Sequence, residues 1–521
     1  MSASKLGFVA TMRTLPRTYW IANTMEIFER MAWYGFYAVA PLYITGKVSD
    51  GALGFSAQES GVILGIVTFL LYLMPVVTGA LGDRYGYKKM FLMAYSVLTP
   101  AYFLLGQFTS FGGFFAIFLL VALGAALFKP VVVGTIARCT NSQTASLGFG
   151  MFYMMVNIGG FVGPIVAGIV RAYDWRYVFV ASAIWIAVNF FWVIFFYKEP
   201  TSEAGSKNPR TLRQVFSDIV KVLGNGRFFL TVFVVLILFM AAGKRWISWW
   251  PTSIVLALGW VALNVVFDMA LRARKPSEQS PWLVQPMRLG DWRFGLYLLV
   301  LSGFWALFNQ IFMTMPLYLE KFVDTTSIFR TAAEGLGAVG WTGGAEYFQG
   351  LIRENYVINP EYIVNLDALA IVFFQLVVSW IAGRFRPFPT MIVGNLIVTA
   401  GVAMAALAGP SVGASAWWPV ASILVFAVGE MACSPKSQEY VGSIAPPDKT
   451  AMYMGYYFVS IALGNLFGGL MSGEFFSRLA EEAGRPDLMW LAFAGVGVLT
   501  TLLLVLYNRY ALPGRAAGEA R

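Results

Sequence analysis

Apolar runs of about 20 residues recur from one end of this chain to the other, and about 20 such residues carry an α-helix across the hydrocarbon core of a bilayer. The 521-residue sequence is 58% hydrophobic and only 12% charged, where a soluble protein is nearer about 25% charged. A polytopic membrane protein is the class these runs define. Irregular backbone cannot face lipid, so the expected fold is all-α, a bundle of membrane helices.

About twelve strong spans and a weaker pair between them make about 14 transmembrane helices. Spans one to six lie near 18–45, 58–80, 88–106, 111–137, 145–170 and 177–197. A basic segment, Lys198 to Arg227, follows, with an amphipathic helix expected around Leu212–Leu223. The weaker pair, about 228–272, is broken by Gly243-Lys244-Arg245 and Pro251 and reads as a helical hairpin. After a second basic segment, Arg272–Arg293, spans seven to twelve lie near 294–320, 361–382, 389–408, 416–435, 451–472 and 488–510. The expected organisation is an N-terminal six-helix bundle (1–197), cytoplasmic linkers with the inserted hairpin (198–293) and a C-terminal six-helix bundle (294–521). Six plus six suggests two repeated halves around a midplane cavity. The acidic, glycine-rich stretch Glu320–Glu361 is the longest external loop and is expected to be partly structured.

The net charge of +10 follows from topology rather than from nucleic acid. Most of the 37 Lys and Arg fall in loops that alternate with the others and in both termini. The positive-inside rule then places both termini in the cytoplasm of an inner-membrane, multi-pass protein. Residues 1–17 are short and basic and do not read as a cleavable signal. Cys139 and Cys433 fall near cytoplasmic helix ends, where a structural disulfide is not expected. The chain has no histidine, so any titration near neutral pH falls to carboxylates. No metal or cofactor is expected. The lack of a metal-ligand cluster and of a nucleophile–base constellation disfavours an enzyme.

Inside the first span stands Glu26-Ile27-Phe28-Glu29-Arg30. A charge at bilayer depth costs at least about 2.5 kcal/mol, so these groups are expected to pair and to face a cavity. Helical spacing puts Glu26, Glu29, Arg30, Trp33 and Tyr34 on one face. Buried carboxylates beside an arginine hold or release a proton as their partners change. The alternative is a salt-bridge knot that only locks helices together.

Several motifs together carry a family resemblance. Gly79-Ala80-Leu81-Gly82-Asp83-Arg84-Tyr85-Gly86-Tyr87-Lys88-Lys89, between spans two and three, resembles the cytoplasmic loop signature of the major facilitator superfamily, with Gly79, Gly82, Asp83, Arg84 and Gly86 as its signature positions. Its glycines allow a tight turn, and Asp83 can meet a helix N-terminus. Glu26-x-x-Glu29-Arg30 with Trp33-Tyr34-Gly35, Phe128-Lys129-Pro130, the run Phe152 to Gly160 around Asn157, Gly429-Glu430 to Pro435, and Met454 to Phe458 resemble the signatures of the proton-coupled oligopeptide transporters within that superfamily. The resemblance covers nearly the whole chain, and the extra hairpin is similar to that of bacterial members.

The resemblance implies a major facilitator fold and proton-driven symport of di- or tripeptides, or peptide-like compounds, by alternating access. It assigns proton coupling to Glu26, Glu29, Arg30 and Lys129. Arg30 and Lys129 would hold the solute's carboxylate, Glu430 its amine, and Asn157 and Asn365 its backbone. Tyr34, Tyr72 and Tyr457 would line side-chain pockets. A zwitterion needs a cation at one end, an anion at the other and amide partners between, which this set supplies. Other readings stay open: Lys129 snorkelling or locked to Glu29, Asn157 as helix glue, the tyrosines as core aromatics. Two departures stand out. Trp33 replaces a tyrosine of the family pattern, and Asn309, placed in the substrate site, stands where relatives usually carry an acid, so a coupling switch is altered. The partners expected are a small peptide, protons and lipid, with the chain a monomer. The alternatives are a carrier of another carboxylated solute with altered or no proton coupling, and a transport-inactive sensor or assembly partner.

Overall fold

In a computed structural model the described residues are 13–140, 144–200, 226–243, 252–273, 282–286, 292–354, 356–410, 412–444 and 450–511. The expected amphipathic helix at Leu212–Leu223 and the break at Lys244 to Pro251 lie outside them.

The chain is a membrane-type helical bundle. Among the described residues, ten helices are long and apolar enough to cross a bilayer by length and composition. Large apolar side chains such as Phe195, Leu263, Phe373 and Leu376 are exposed on the outside of the bundle, where lipid rather than water suits them.

Several spans are built from consecutive short helices. Span one runs Arg17–Tyr37 and Ala40–Thr45, and span two Ala57–Leu73 and Pro75–Tyr85. Span seven is Trp292–Phe308, Gln310–Met313 and Met315–Phe322; span eight is Pro360–Val364 and Leu366–Ala382. Pro41, Pro75, Pro316 and Pro360 each sit in the first turn of such a piece. A proline restarts a helix there without wasting a donor, because the first turn's N–H groups have no intrahelical partner. Span two opens on a full capping box: the Ser56 hydroxyl takes the Glu59 N–H and the Glu59 carboxylate takes the Ser56 N–H at 3.0 Å.

The remaining spans are helices Tyr87–Leu105, Phe111–Cys139, Ala145–Arg171, Arg176–Phe191, Pro387–Ala405, Trp417–Ile444, Thr450–Phe475 and Pro486–Tyr510. They pack around two apolar cores, one from spans one to six, centred on Phe36, Phe91, Phe114 and Phe118. The other comes from spans seven to twelve, centred on Tyr297, Phe388, Trp490 and Phe493. Between them in sequence lies the hairpin, helices Gly226–Gly243 and Ile254–Ala273. It is tied by a buried ion pair, Arg227 to Asp268 at 2.9 Å. The long stretch between spans seven and eight holds two helices, Thr326–Ala338 and Thr342–Arg353. Before them Val323–Asp324 pairs in parallel with Ala414–Ser415.

The two halves meet most closely where span two lies on span eleven. Gly61 and Gly65 face Gly469 and Gly473, and a Cβ on any of the four would run into the opposite backbone. Small residues allow this approach in membranes. These glycines lie in the part of the molecule away from the chain termini.

Candidate functional site

On span one, Arg30 Nε lies 3.2 Å from Glu26 Oε1 and donates to Glu29 Oε2 at 2.5 Å. All three side chains are buried. Span five presses close against this turn, because a Cβ on Gly159 would meet Arg30 Cβ and the Ile27 carbonyl. The cluster is therefore a closed group of two acids around one arginine, in which Glu26 Oε2 and Glu29 Oε1 keep no hydrogen-bond partner. Its expected neighbours on the helix face divide: Trp33 stacks on Tyr37 with centroids 5.0 Å apart, inside the first core, whereas Tyr34 reaches across to Phe312 of span seven.

Lys129 of span four stands apart from the cluster. Its Nζ lies 4.1 Å from the centroid of the Tyr72 ring on span two. No ion pair joins it to Glu26, Glu29 or any other described acid. A cation over an aromatic face is attracted to the ring quadrupole, so Lys129 is held in place while its charge stays open to an anion.

A cavity of about 80 Å³ lies between the halves. Tyr34, Tyr153 and Asn157 line it from the first half; Asn365, Asp367 and Glu430 line it from the second. Asn157 Nδ2 donates to the Tyr153 carbonyl of its own helix at 2.8 Å. Asn365 Nδ2 donates across the halves to the Phe161 carbonyl at 2.8 Å, at the break between the two pieces of span eight. Asp367 Oδ1 and Glu430 Oε2 are buried without a hydrogen-bond partner.

Nearer the end away from the termini, Arg171 of span five clamps Glu361 of span eight through two parallel bonds, at 2.7 and 2.9 Å. Two-point arginine–carboxylate geometry is the strong form of this bond. Gly168 leaves room for it, since a Cβ there would meet Glu361 Oε1. Together with the glycine contact of spans two and eleven, this pair closes the cavity at that end.

The structure thus brings Tyr34, Asn157, Asn365 and Glu430 to one cavity. Arg30 stands behind the Tyr34 ring, 5.8 Å from its centroid. Glu26, Glu29, Lys129 and Tyr72 lie on the same side but do not line the cavity. Asn309 and Tyr457 are not on the cavity wall either. Asn309 donates to the Trp305 carbonyl at 2.7 Å and accepts from the Tyr37 hydroxyl at 3.4 Å. Tyr457 is fully buried, its hydroxyl 2.9 Å from that of Ser437. Sequence reasoning passed over Asp367, Arg171 and Glu361. Asp367 carried a usable signal, an acid inside an apolar span.

Gly86 adopts φ +87°, a conformation that suits glycine. The carboxylate that meets the N-terminus of helix Tyr87–Leu105 is that of Glu199, which accepts from the N–H groups of Tyr87 and Lys88 at 2.5 and 3.0 Å. The side chains of Asp83 and Arg84 lie outside the described residues. Gly79 and Gly82 pack against Pro130 and Val131 of span four.

Two bundles closing on a midplane cavity define a carrier fold, and the chain matches the model of the Major Facilitator Superfamily over residues 24–271 and 358–521. It belongs to that superfamily and is a multi-pass membrane protein. Within it, the chain is 25% identical over 507 residues to the peptide transporter YePEPT of Yersinia enterocolitica, covering 90% of this chain and 88% of that one. It is 23% identical over 514 residues to dipeptide and tripeptide permease A of Escherichia coli, covering 94% and 91%. Among solved structures, it superposes on a peptide transporter POT in complex with sulfate with a TM-score of 0.68 at 19% identity, over 98% of this chain and 96% of that one. A POT family transporter in complex with 5-aminolevulinic acid gives a TM-score of 0.69 at 19% identity, over 96% and 99%. The family resemblance read from the motifs is borne out.

Proposed function

We propose that this protein is a proton-coupled symporter of di- or tripeptides, or of close peptide-like compounds, working by alternating access in the bacterial inner membrane. One observation carries the reading: opposite charges stand on the two sides of one central cavity. Cations, Arg30 and Lys129, lie behind Tyr34 and Tyr72 in the first half, and acids, Asp367 and Glu430, line the wall of the second. Asn157 lines the same cavity from the first half and Asn365 from the second. A zwitterion with an amide between its ends matches that order. The names of the relatives, peptide transporters and dipeptide and tripeptide permeases, support the solute class.

In this mechanism Lys129 takes the solute's carboxylate, since its charge is open while Arg30 is already shared between two acids. Arrival of that carboxylate draws on Arg30, and the loosened Glu26–Glu29 pair takes up the co-transported proton. Glu430 takes the amine; the two asparagines bond the solute's amide. Opening to the outside requires the Arg171–Glu361 pair to part. The termini are cytoplasmic, lipid surrounds the bundle, and a single chain suffices for the cycle.

The test is uptake of labelled Ala-Ala into proteoliposomes with an acid exterior. Accumulation is expected in the wild type; Glu29→Gln is expected to lose it and to keep counterflow. Full proton-driven accumulation by the variant would remove the span-one cluster from coupling. A second reading, a carrier of another carboxylated solute with altered coupling, is favoured by Asn309, which carries no proton. Binding of such a solute with no binding of Ala-Ala would select it.

A further inference from the structure

Six acids are buried among the described residues: Glu26, Glu29, Asp268, Glu361, Asp367 and Glu430. Four are ion-paired within the chain. Glu26 and Glu29 share Arg30, Asp268 has Arg227, and Glu361 has Arg171. Asp367 and Glu430 have no such partner among the described residues. They are 4% and 6% exposed, both line the central cavity, and each has a buried oxygen without a hydrogen-bond partner. They stand on different helices, Asp367 on span eight and Glu430 on span ten, within electrostatic reach of one another. An acid buried without a counter-charge is costly. The other four buried acids each lie against an arginine; these two line the central cavity with none.

We infer that Asp367 and Glu430 form a two-acid subsite for a solute whose amino end bears two positive charges close together, such as a peptide whose first residue is lysine. The inference rests on the peptide reading above and deepens it. An α-ammonium group satisfies one carboxylate. The side-chain ammonium of the same residue satisfies the other. A cation on the second residue lies toward Asn157 and the first half, and gains nothing from Asp367. Asp367 is thus a specificity-determining residue, and Glu430 serves every amine-bearing solute alike.

Purified full-length protein is titrated with Ala-Ala, Lys-Ala and Ala-Lys, which separates total charge from its position. Lys-Ala is expected to bind at least about tenfold more tightly than either of the others. Asp367→Asn is expected to bring Lys-Ala to within about twofold of Ala-Lys, with Ala-Ala little changed. Glu430→Gln is expected to weaken all three by a similar factor. Equal affinities for Lys-Ala and Ala-Lys in the wild type would overturn the inference without any variant, and would mean that a resident proton neutralises Asp367. An unchanged ratio in Asp367→Asn would overturn it as well. If none of the three binds the wild type, the peptide reading itself falls and this inference with it. If Ala-Ala binds and the ratio is flat, only the two-acid subsite falls.

Discussion

The charged groups of the two halves are organised in opposite ways. In the first half, two acids on adjacent turns of one helix share a single arginine of that helix. In the second half, two acids come from two helices and share a cavity wall with no cation. A self-paired cluster stabilises its own half whether or not a solute is bound. An acid pair without a cation is at its best only when something positive arrives. In the proposed cycle the first half responds to a solute by rearranging its pairs, and the second is completed by it.

The largest effect that would break this contrast is on stability. Arg30→Met leaves Glu26 and Glu29 buried together without a cation, and removal of one partner from a buried pair costs about 3–5 kcal/mol. A clear fall in detergent melting temperature is expected. The combined Asp367→Asn, Glu430→Gln variant is expected to melt no lower than wild type, since it relieves an uncompensated site. Equal destabilisation by both would erase the distinction. Next in size, Glu430→Gln is expected to weaken Ala-Ala binding by about 1.5–3 kcal/mol, the range for a bond to a charged group. N-acetyl-Ala-Ala should change far less. Equal losses in isothermal titration would mean that no amine meets Glu430.

A smaller shift is expected from the closure that joins the halves. Arg171→Leu removes both bonds to Glu361 and should move the population toward the outward-open state by about 1–2 kcal/mol, or roughly tenfold. Labelling of Ala38→Cys by an impermeant thiol reagent from outside, in a background lacking Cys139 and Cys433, reads this directly. Unchanged labelling would show that the glycine contact alone holds the end shut. The smallest effect is assigned to Asn309. Asn309→Asp places a titratable group beside Tyr37, and a bias of about 1 kcal/mol between states is enough to reshape the pH profile of uptake. Superimposable profiles for variant and wild type would put Asn309 outside the coupling machinery.

Much of this was legible in the sequence. Charge-poor apolar runs are a one-dimensional signal, and they gave the helices and the extra hairpin. The span-one cluster was equally readable, because its members are neighbours on one helix. Tyr34, Asn157 and Glu430 stood in motifs, Asn365 was assigned through the family resemblance, and all four reached the same cavity. What was not legible depends on distant partners. Arg171 and Glu361 are 190 positions apart, and nothing local to either announces the other. Glu199 caps a helix that begins 112 residues earlier. Tyr457 sat in a family-like run, yet its hydroxyl is taken by Ser437, a partner that only the packing of spans ten and eleven supplies. Asp367 was visible as an intramembrane acid, but its meaning came from its proximity to Glu430 and from the lack of any cation beside them.

The four-glycine contact between spans two and eleven has a practical consequence. Because backbone there rests on backbone, any side chain added at Gly61, Gly65, Gly469 or Gly473 must act as a wedge. A graded series from alanine to valine to leucine at Gly469 would then set the angle between the halves in steps. The carrier has a built-in dial by which one conformer after another can be trapped, without touching a residue that meets the solute.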